Sequence, residues 1–218
     1  MAEDAPPNFD RVALIYRYAE YASLGPMLQR ARTHFLPRLL ESRRATVIGD
    51  GDGRFLARWL AVNQTMQALA VDSSESMLEL LRSNCVAAST SALERLNTRH
   101  ISAFDVTPAP GSDTVVSHFF LDCFTQQQLE VLVRSYAQNL PAGALWLLSD
   151  FALPHSAWLR PVAAIYIRCL YFAFRILTGL RVTHLPDPQK ALTNAGFTLI
   201  ARQEWLKGFV YTELWSLE

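Results

Sequence analysis

The stretch that constrains the fold most is the passage from Ala45 to Val62. Ala45-Thr46-Val47-Ile48 is a short, mostly β-branched run that stops at Gly49-Asp50-Gly51-Asp52-Gly53, and helical spacing resumes at once from Arg54 to Val62. That order reads as strand, tight loop, helix, the opening of a βαβ unit. Glycines at alternate positions leave no Cβ atoms in the way, so the loop backbone can approach a ligand closely.

The pattern then repeats. Gln67 to Val71 is a second apolar run ending at Asp72, and Ser73 or Ser74 supplies the N-cap of a helix running through Met77, Leu78 and Leu81. A weaker strand is expected over Thr98 to Ala103, a fourth over Thr114 to Phe119, a helix over Gln126 to Asn139 and a fifth strand over Ala144 to Ser149. Alternation of this kind predicts a parallel sheet covered on both faces, a doubly wound α/β fold. Two amphipathic helices, Phe9 to Tyr21 and Met27 to Leu40, precede the sheet on either side of Gly25-Pro26. After the fifth strand come a long helix, Ser156 to Thr178, and a short one, Asp187 to Asn194. Two closing runs, Phe197 to Glu204 and Phe209 to Ser216, lie close enough in sequence to form an antiparallel hairpin at the sheet edge. At 218 residues the chain is expected to be one domain. Residues 1–42 are expected to form a helical cover, 43–151 a cofactor-binding core, 152–194 a helical lid and 195–218 the hairpin.

The loop chemistry narrows the ligand. A dinucleotide site places its third glycine one position later, where this chain has Arg54, and Asp50 and Asp52 would both repel a bound pyrophosphate. A cationic ligand suits the loop better. S-adenosylmethionine carries a sulfonium and an ammonium instead of phosphates, and Asp72 at the end of the next strand can accept hydrogen bonds from its ribose hydroxyls.

Strand-GxGxG-helix, strand-Asp and a closing hairpin together resemble the class I S-adenosylmethionine-dependent methyltransferases, over roughly Ala45 to the C-terminus. The turn Leu140-Pro141-Ala142-Gly143-Ala144 and the strand start Asn194-Ala195-Gly196-Phe197 resemble motifs of the same family. The opening Asn8-Phe9-Asp10-Arg11-Val12-Ala13-Leu14-Ile15-Tyr16 resembles that of its ubiquinone/menaquinone-type group. By that resemblance the fold is a mostly parallel seven-stranded sheet with a terminal antiparallel hairpin, and the product is S-adenosylhomocysteine. Gly49, Asp50, Gly51 and Gly53 would cradle the amino-acid end of the cofactor, and Asp72, with Ser73 and Met77 beside it, the ribose. Phe104 and Asp105 would meet the adenine, and Tyr16 would pack over the bound cofactor. The family often carries an acid two positions before the first glycine; this chain has Val47 there, and Asp50 is the nearest replacement.

In open α/β sheets ligands gather at the carboxyl ends of the strands, which places His118, Phe119 and Asp122 near an acceptor, with Tyr21, His155, Tyr166 and Arg168 as further candidate contacts. Methyl transfer is a displacement that needs alignment, plus a base only where the acceptor must lose a proton. His118 or Asp122 could be that base; a cofactor wall and a helix-entry carboxylate are the alternatives. The long helix is unusually apolar, which fits core packing, a homodimer interface, an apolar acceptor or peripheral membrane contact.

Composition removes other classes. Lys plus Arg equals Asp plus Glu, 20 each, so no net field gathers nucleic acid, and a small-molecule acceptor is expected. Arg168 and Arg175 interrupt the apolar stretch 162–180, and a mid-span arginine costs about 2.5–3.5 kcal/mol, so no transmembrane span is expected. Three scattered cysteines give neither a disulfide framework nor a zinc site, and no metal is expected. With MAEDAPPNFD at the start, where a secretion signal would be basic and then apolar, a cytoplasmic location is expected. The rival readings are a non-catalytic binding protein on the same fold and an NAD-dependent oxidoreductase.

Overall fold

The structure, a computed structural model, describes residues 24–178 and 185–218. Seven strands form one sheet: β1 (Arg44–Ile48), β2 (Gln67–Asp72), β3 (Leu96–His100), β4 (Thr114–His118), β5 (Leu145–Phe151), β6 (Phe197–Trp205) and β7 (Val210–Leu217). Their order is β3-β2-β1-β4-β5-β7-β6, with β1 to β5 parallel and β7 antiparallel to both neighbours. The chain reverses direction across the sheet between β1 and β4. Such a reversal opens a crevice at the carboxyl ends of those strands.

Side chains alternate between two cores, as the pleat requires. On one face Ile48, Val115 and Leu148 pack with Leu129, Leu132 and Tyr136 of α5 (Gln126–Ala137) and Leu192 of α7 (Pro188–Asn194). On the other Val47, Val116 and Leu147 pack with Phe55, Trp59 and Leu60 of α2 (Arg54–Val62) and Leu81 of α3 (Glu75–Ala88). A third cluster closes the carboxyl end of β5. There Leu28 and Ala31 of α1 (Gly25–Thr33) and Ala163 and Ile167 of α6 (Leu159–Thr178) meet Phe151, Phe209 and Val210. A short helix, α4 (Ala92–Arg95), leads into β3, and its buried Arg95 donates to the carbonyls of Leu60 (2.9 Å) and Asn63 (2.8 Å). That guanidinium satisfies orphan acceptors at and just beyond the end of α2.

Two expectations are corrected. The helix expected over Met27 to Leu40 begins at Gly25, with Pro26 in its first turn, and ends at Thr33; a separate 3-10 turn covers Leu36–Leu39. Pro37 has no N–H to donate and its ring would collide with the Thr33 carbonyl, so the helix cannot continue through it. The third strand runs from Leu96 to His100 and not from Thr98 to Ala103. Its pairing is fixed by β2, from Ala68 opposite Leu96 to Asp72 opposite His100. As an edge strand with exposed Asn97, Arg99 and His100, it carries little apolar alternation to mark its bounds.

Candidate cofactor and acceptor site

The loop between β1 and α2 turns through left-handed backbone at Gly49 (φ 63°) and Gly51 (φ 58°). The two glycines serve different ends. A Cβ at Gly49 would lie 2.0 Å from Cδ2 of the Phe120 ring, so that position is closed by packing. A Cβ at Gly51 would meet nothing within 4 Å, so that position faces open space. Gly53 is closed again, by Leu81 of α3.

Asp50 stands in this loop with its carboxyl turned inward. The Leu56 main-chain N–H donates to Oδ2 (3.1 Å), while Oδ1 is buried and has no hydrogen-bond partner among the described residues. Burial pushes its pKa up to about 7, against the pull of the Leu56 N–H and of Arg32. Arg32, on α1, is itself 6% exposed, and its guanidinium lies 5.0 Å from the centre of the Phe119 ring. A carboxyl and a guanidinium thus lie close enough to interact at the glycine loop. Val47 is fully within the core, so no acid from β1 competes with Asp50 there. Asp52 is instead paired with Arg54 at 2.8 Å.

At the end of β2, Asp72 Oδ1 accepts from the Ser74 main-chain N–H (2.9 Å), and Ser74 is the N-cap of α3, its hydroxyl accepting from Met77 N–H. Ser73 offers its carbonyl to His100 and Met77 is buried. Phe104 is 38% exposed, edge-on to Phe124, and Asp105 is exposed in the turn closed by its N–H to Ser102.

His118 closes β4 and is almost fully enclosed, with its ring edge-on to Phe55. A hydrogen-bond chain defines its tautomer. Thr212 donates to the Leu148 carbonyl, Ser149 donates to Thr212, and Ser149 Oγ is therefore left to accept from His118 Nδ1 (2.9 Å). The proton sits on Nδ1, and Nε2 is a buried lone pair without a partner among the described residues. Burial, and next the charge of Arg32, hold the ring well below the usual histidine range, so it is neutral at pH 7.

Two buried carboxyl groups meet near the carboxyl ends of β4 and β5. Asp122 is 5% exposed and accepts weakly from the Cys123 thiol. Asp150, in β5, receives N–H groups from Phe151 (2.8 Å) and from Asp122, while its Oδ2 has no partner among the described residues. Burial raises Asp122 to about 6, and burial together with the Asp122 charge drives Asp150 well above the carboxylate range. The pair therefore holds one proton near neutrality, for which the Asp150 side has the greater affinity. The Cys123 thiol is pushed up by burial and by these acids.

Beside the acids lies an aromatic wall: the Phe151 ring is tilted against Phe119 at 5.0 Å and Phe209 at 5.4 Å, and Tyr166 meets Phe209 edge-on at 5.6 Å. Phe119 adopts φ 53°, an uncommon conformation for a large side chain. His155 is largely exposed and occupied by Glu204 (3.3 Å), and Arg168 is exposed on α6. Tyr16 and Tyr21 lie outside the described residues. Arg32 and Asp150 are the residues that sequence reasoning missed. A separate groove of about 610 Å³, lined by Arg44, Gln67, Asn97 and Arg99 among others, opens at the amino ends of β1 to β3, away from this site.

No protein-family model and no curated protein matches the sequence. Solved structures do. An O-methyltransferase family protein from Burkholderia thailandensis superposes with a TM-score of 0.70 at 14% identity, over 94% of this chain and 59% of that one. An O-methyltransferase family 2 protein from Planctomyces limnophilus, solved with apigenin, gives 0.68 at 18% over 94% and 62%. Magnesium protoporphyrin IX methyltransferase from Synechocystis PCC 6803, solved with bound SAH, gives 0.71 at 12% over 96% of each chain. This chain thus spans about 60% of the first two proteins and nearly all of the third. The strand order, the terminal hairpin and these superpositions give the chain the Rossmann-like fold of the class I S-adenosylmethionine-dependent methyltransferases.

Proposed function

We propose that this protein is an S-adenosylmethionine-dependent methyltransferase acting on a small apolar or aromatic acceptor. The observation that carries the proposal is Asp50: a carboxyl with one enclosed, unpartnered oxygen among the described residues, beside the open face of Gly51 at the sheet's point of reversal. Such an oxygen suits an ammonium and repels a pyrophosphate, which favours adenosylmethionine over a dinucleotide.

The residues present fit the cofactor. Asp50 would hold its ammonium, Arg32 its carboxylate, Asp72 the ribose hydroxyls and Phe104 the adenine face, with Gly51 leaving room for the chain between them. When bound, the cofactor supplies a methyl carbon made electrophilic by positively charged sulfur. Phe119, Phe151, Tyr166 and Phe209 would hold and orient an apolar acceptor and keep water from it. Asp122, ionised above about pH 6, would take up the proton that an acceptor oxygen or nitrogen loses, with protonated Asp150 beside it. His118 would line the cofactor pocket, its Nε2 lone pair available to a donor on either ligand. Carrying no net charge, the protein offers no field for nucleic acid, and its scattered cysteines suit the reducing cytoplasm.

Titration calorimetry with S-adenosylhomocysteine, with NADH as control, tests the proposal. Micromolar binding of the first and none of the second is expected. Absence of adenosylhomocysteine binding by the folded protein would leave a methyltransferase fold used for something else.

A further inference from the structure

The crossover from β3 to β4, residues 101–113, carries no helix, unlike those from β1 to β2 and from β4 to β5. The sheet therefore keeps an open strip beside this loop. Register sets Arg44 beside Gln67 and Leu69 beside Asn97, and with side chains alternating along each strand these four and Arg99 project from the face that carries Ile48. Thr46, on the same face, accepts the Ala109 main-chain N–H (2.9 Å), and the Arg44 guanidinium donates to the Pro110 carbonyl. The loop is thereby pinned along the sheet, and it walls the groove of about 610 Å³ at the amino ends of β1 to β3. Pro108 and Pro110 fix two of its φ angles, so the wall is ordered before anything binds. The groove is one-signed. Arg44 and Arg99 line it and no carboxylate does. Arg99 is exposed, and its side chain forms no hydrogen bond or ion pair among the described residues. Neither acid of the loop lines the groove: Asp105 sits in the turn closed with Ser102, and Asp113 accepts from the main-chain N–H groups of Arg43 and Arg44.

We propose that this groove binds a small organic oxyanion, a carboxylate or phosphate carried on an apolar body. A guanidinium presents its donors in a fixed fork that matches two oxygens of either group. The carboxamides of Gln67 and Asn97 add neutral donors along the same strip. Leu69 and Pro110 give an apolar body a surface to lie on. The chain as a whole carries no net charge, so the two local cations select the sign of the ligand. The volume selects its size, because small-molecule sites enclose about 300–1,000 Å³, whereas a macromolecular partner needs a broad patch. The groove lies at the amino ends of the strands and the crevice proposed for the cofactor at their carboxyl ends, so its occupant is a second ligand.

Amide chemical-shift mapping of the isotope-labelled full chain with phenyl phosphate, benzoate, inorganic phosphate and neutral benzamide tests this. Phenyl phosphate, benzoate or both are expected to shift the amides of Asn97, Arg99 and Ala109 and to leave those of Gly49 to Gly53 in place. Whichever binds more tightly tells a phosphate ligand from a carboxylate one. Inorganic phosphate is expected to reach the same residues more weakly, lacking the apolar body, and benzamide to leave them unshifted. Arg99→Gln should weaken the better anion about tenfold by removing a charge-assisted contact. Asn97→Asp should weaken it too, by setting a carboxylate in the groove. Both side chains are exposed, so the rest of the spectrum should stay in place in either variant. No shift at these amides with either organic anion would overturn the proposal, as would equal binding of benzamide or an affinity unchanged in both variants. Shifts confined to the glycine loop and Arg32 would also overturn it and assign the anion to the cofactor crevice. The outcome does not depend on adenosylhomocysteine binding, so it stands or falls apart from the proposed reaction.

Discussion

If Asp50 holds the cofactor's ammonium, the binding of S-adenosylhomocysteine must be linked to protons. In the free protein burial holds this carboxyl near a pKa of about 7, so at pH 6 it is mostly protonated and at pH 8 mostly ionised. An ammonium favours the ionised form and displaces the proton. Taking only the ionised form as competent, affinity at pH 6 falls below that at pH 8 by about tenfold, and binding at pH 7 releases about half a proton. Calorimetry in two buffers of different ionisation enthalpy reads that proton directly, as the difference in apparent binding enthalpy. Asp50→Asn should remove both the pH slope and the released proton, and should weaken binding by the ~1.5–3 kcal/mol of a charge-assisted contact. A flat pH profile between 6 and 8 in the unmodified protein, with no released proton, would refute the assignment of Asp50 to the ammonium.

Asp122→Asn should lower kcat/KM for a proton-bearing acceptor by at least about a hundredfold while leaving adenosylhomocysteine affinity unchanged, and the residual rate should lose its rise through about pH 6. Gly49→Ala should destabilise the fold by about 2 kcal/mol or more in urea titration, because the new Cβ enters the Phe120 ring and the backbone is left-handed there. Arg95→Met leaves the carbonyls of Leu60 and Asn63 without their donor, and should cost ~2–3 kcal/mol by the same assay with no change in ligand affinity. Stability itself should fall with rising pH. Asp50 and Asp122 have folded pKa values of about 7 and about 6, above the ordinary 3.8, so the folded state binds the extra protons. Their contribution is fully present below about pH 4 and is lost as the pH rises through 6 and 7, which denaturation midpoints across that range would measure.

The elements that frame the candidate cofactor site are legible because their signals are local. Strand, glycine loop and helix follow one another without interruption, and the helix expected from Arg54 to Val62 is the one observed. The place of Asp72 at the end of β2, just before the N-cap Ser74, is legible for the same reason. Arg32 was not, since an arginine on an amphipathic helix ordinarily faces water, and only the packing of α1 across the carboxyl end of β5 turns it inward. Asp150 is hidden in the sequence because the fifth apolar run ends at Ser149, whereas pairing with β7 carries the strand on to Phe151 and buries the acid. An acid at the end of an apolar run is, even so, the same signal that marks Asp72. The third strand was misplaced for a related reason: its bounds follow from its neighbour β2, and an edge strand with polar side chains carries no pattern of its own.

A crystal structure of the protein grown with S-adenosylhomocysteine tests whether the crevice at the carboxyl ends of β1, β2 and β4 is an adenosylmethionine site. The ligand is expected over Gly51, with its ammonium at Asp50 and its ribose hydroxyls at Asp72. A ligand bound elsewhere, or a crevice left unchanged at saturating adenosylhomocysteine, would contradict it.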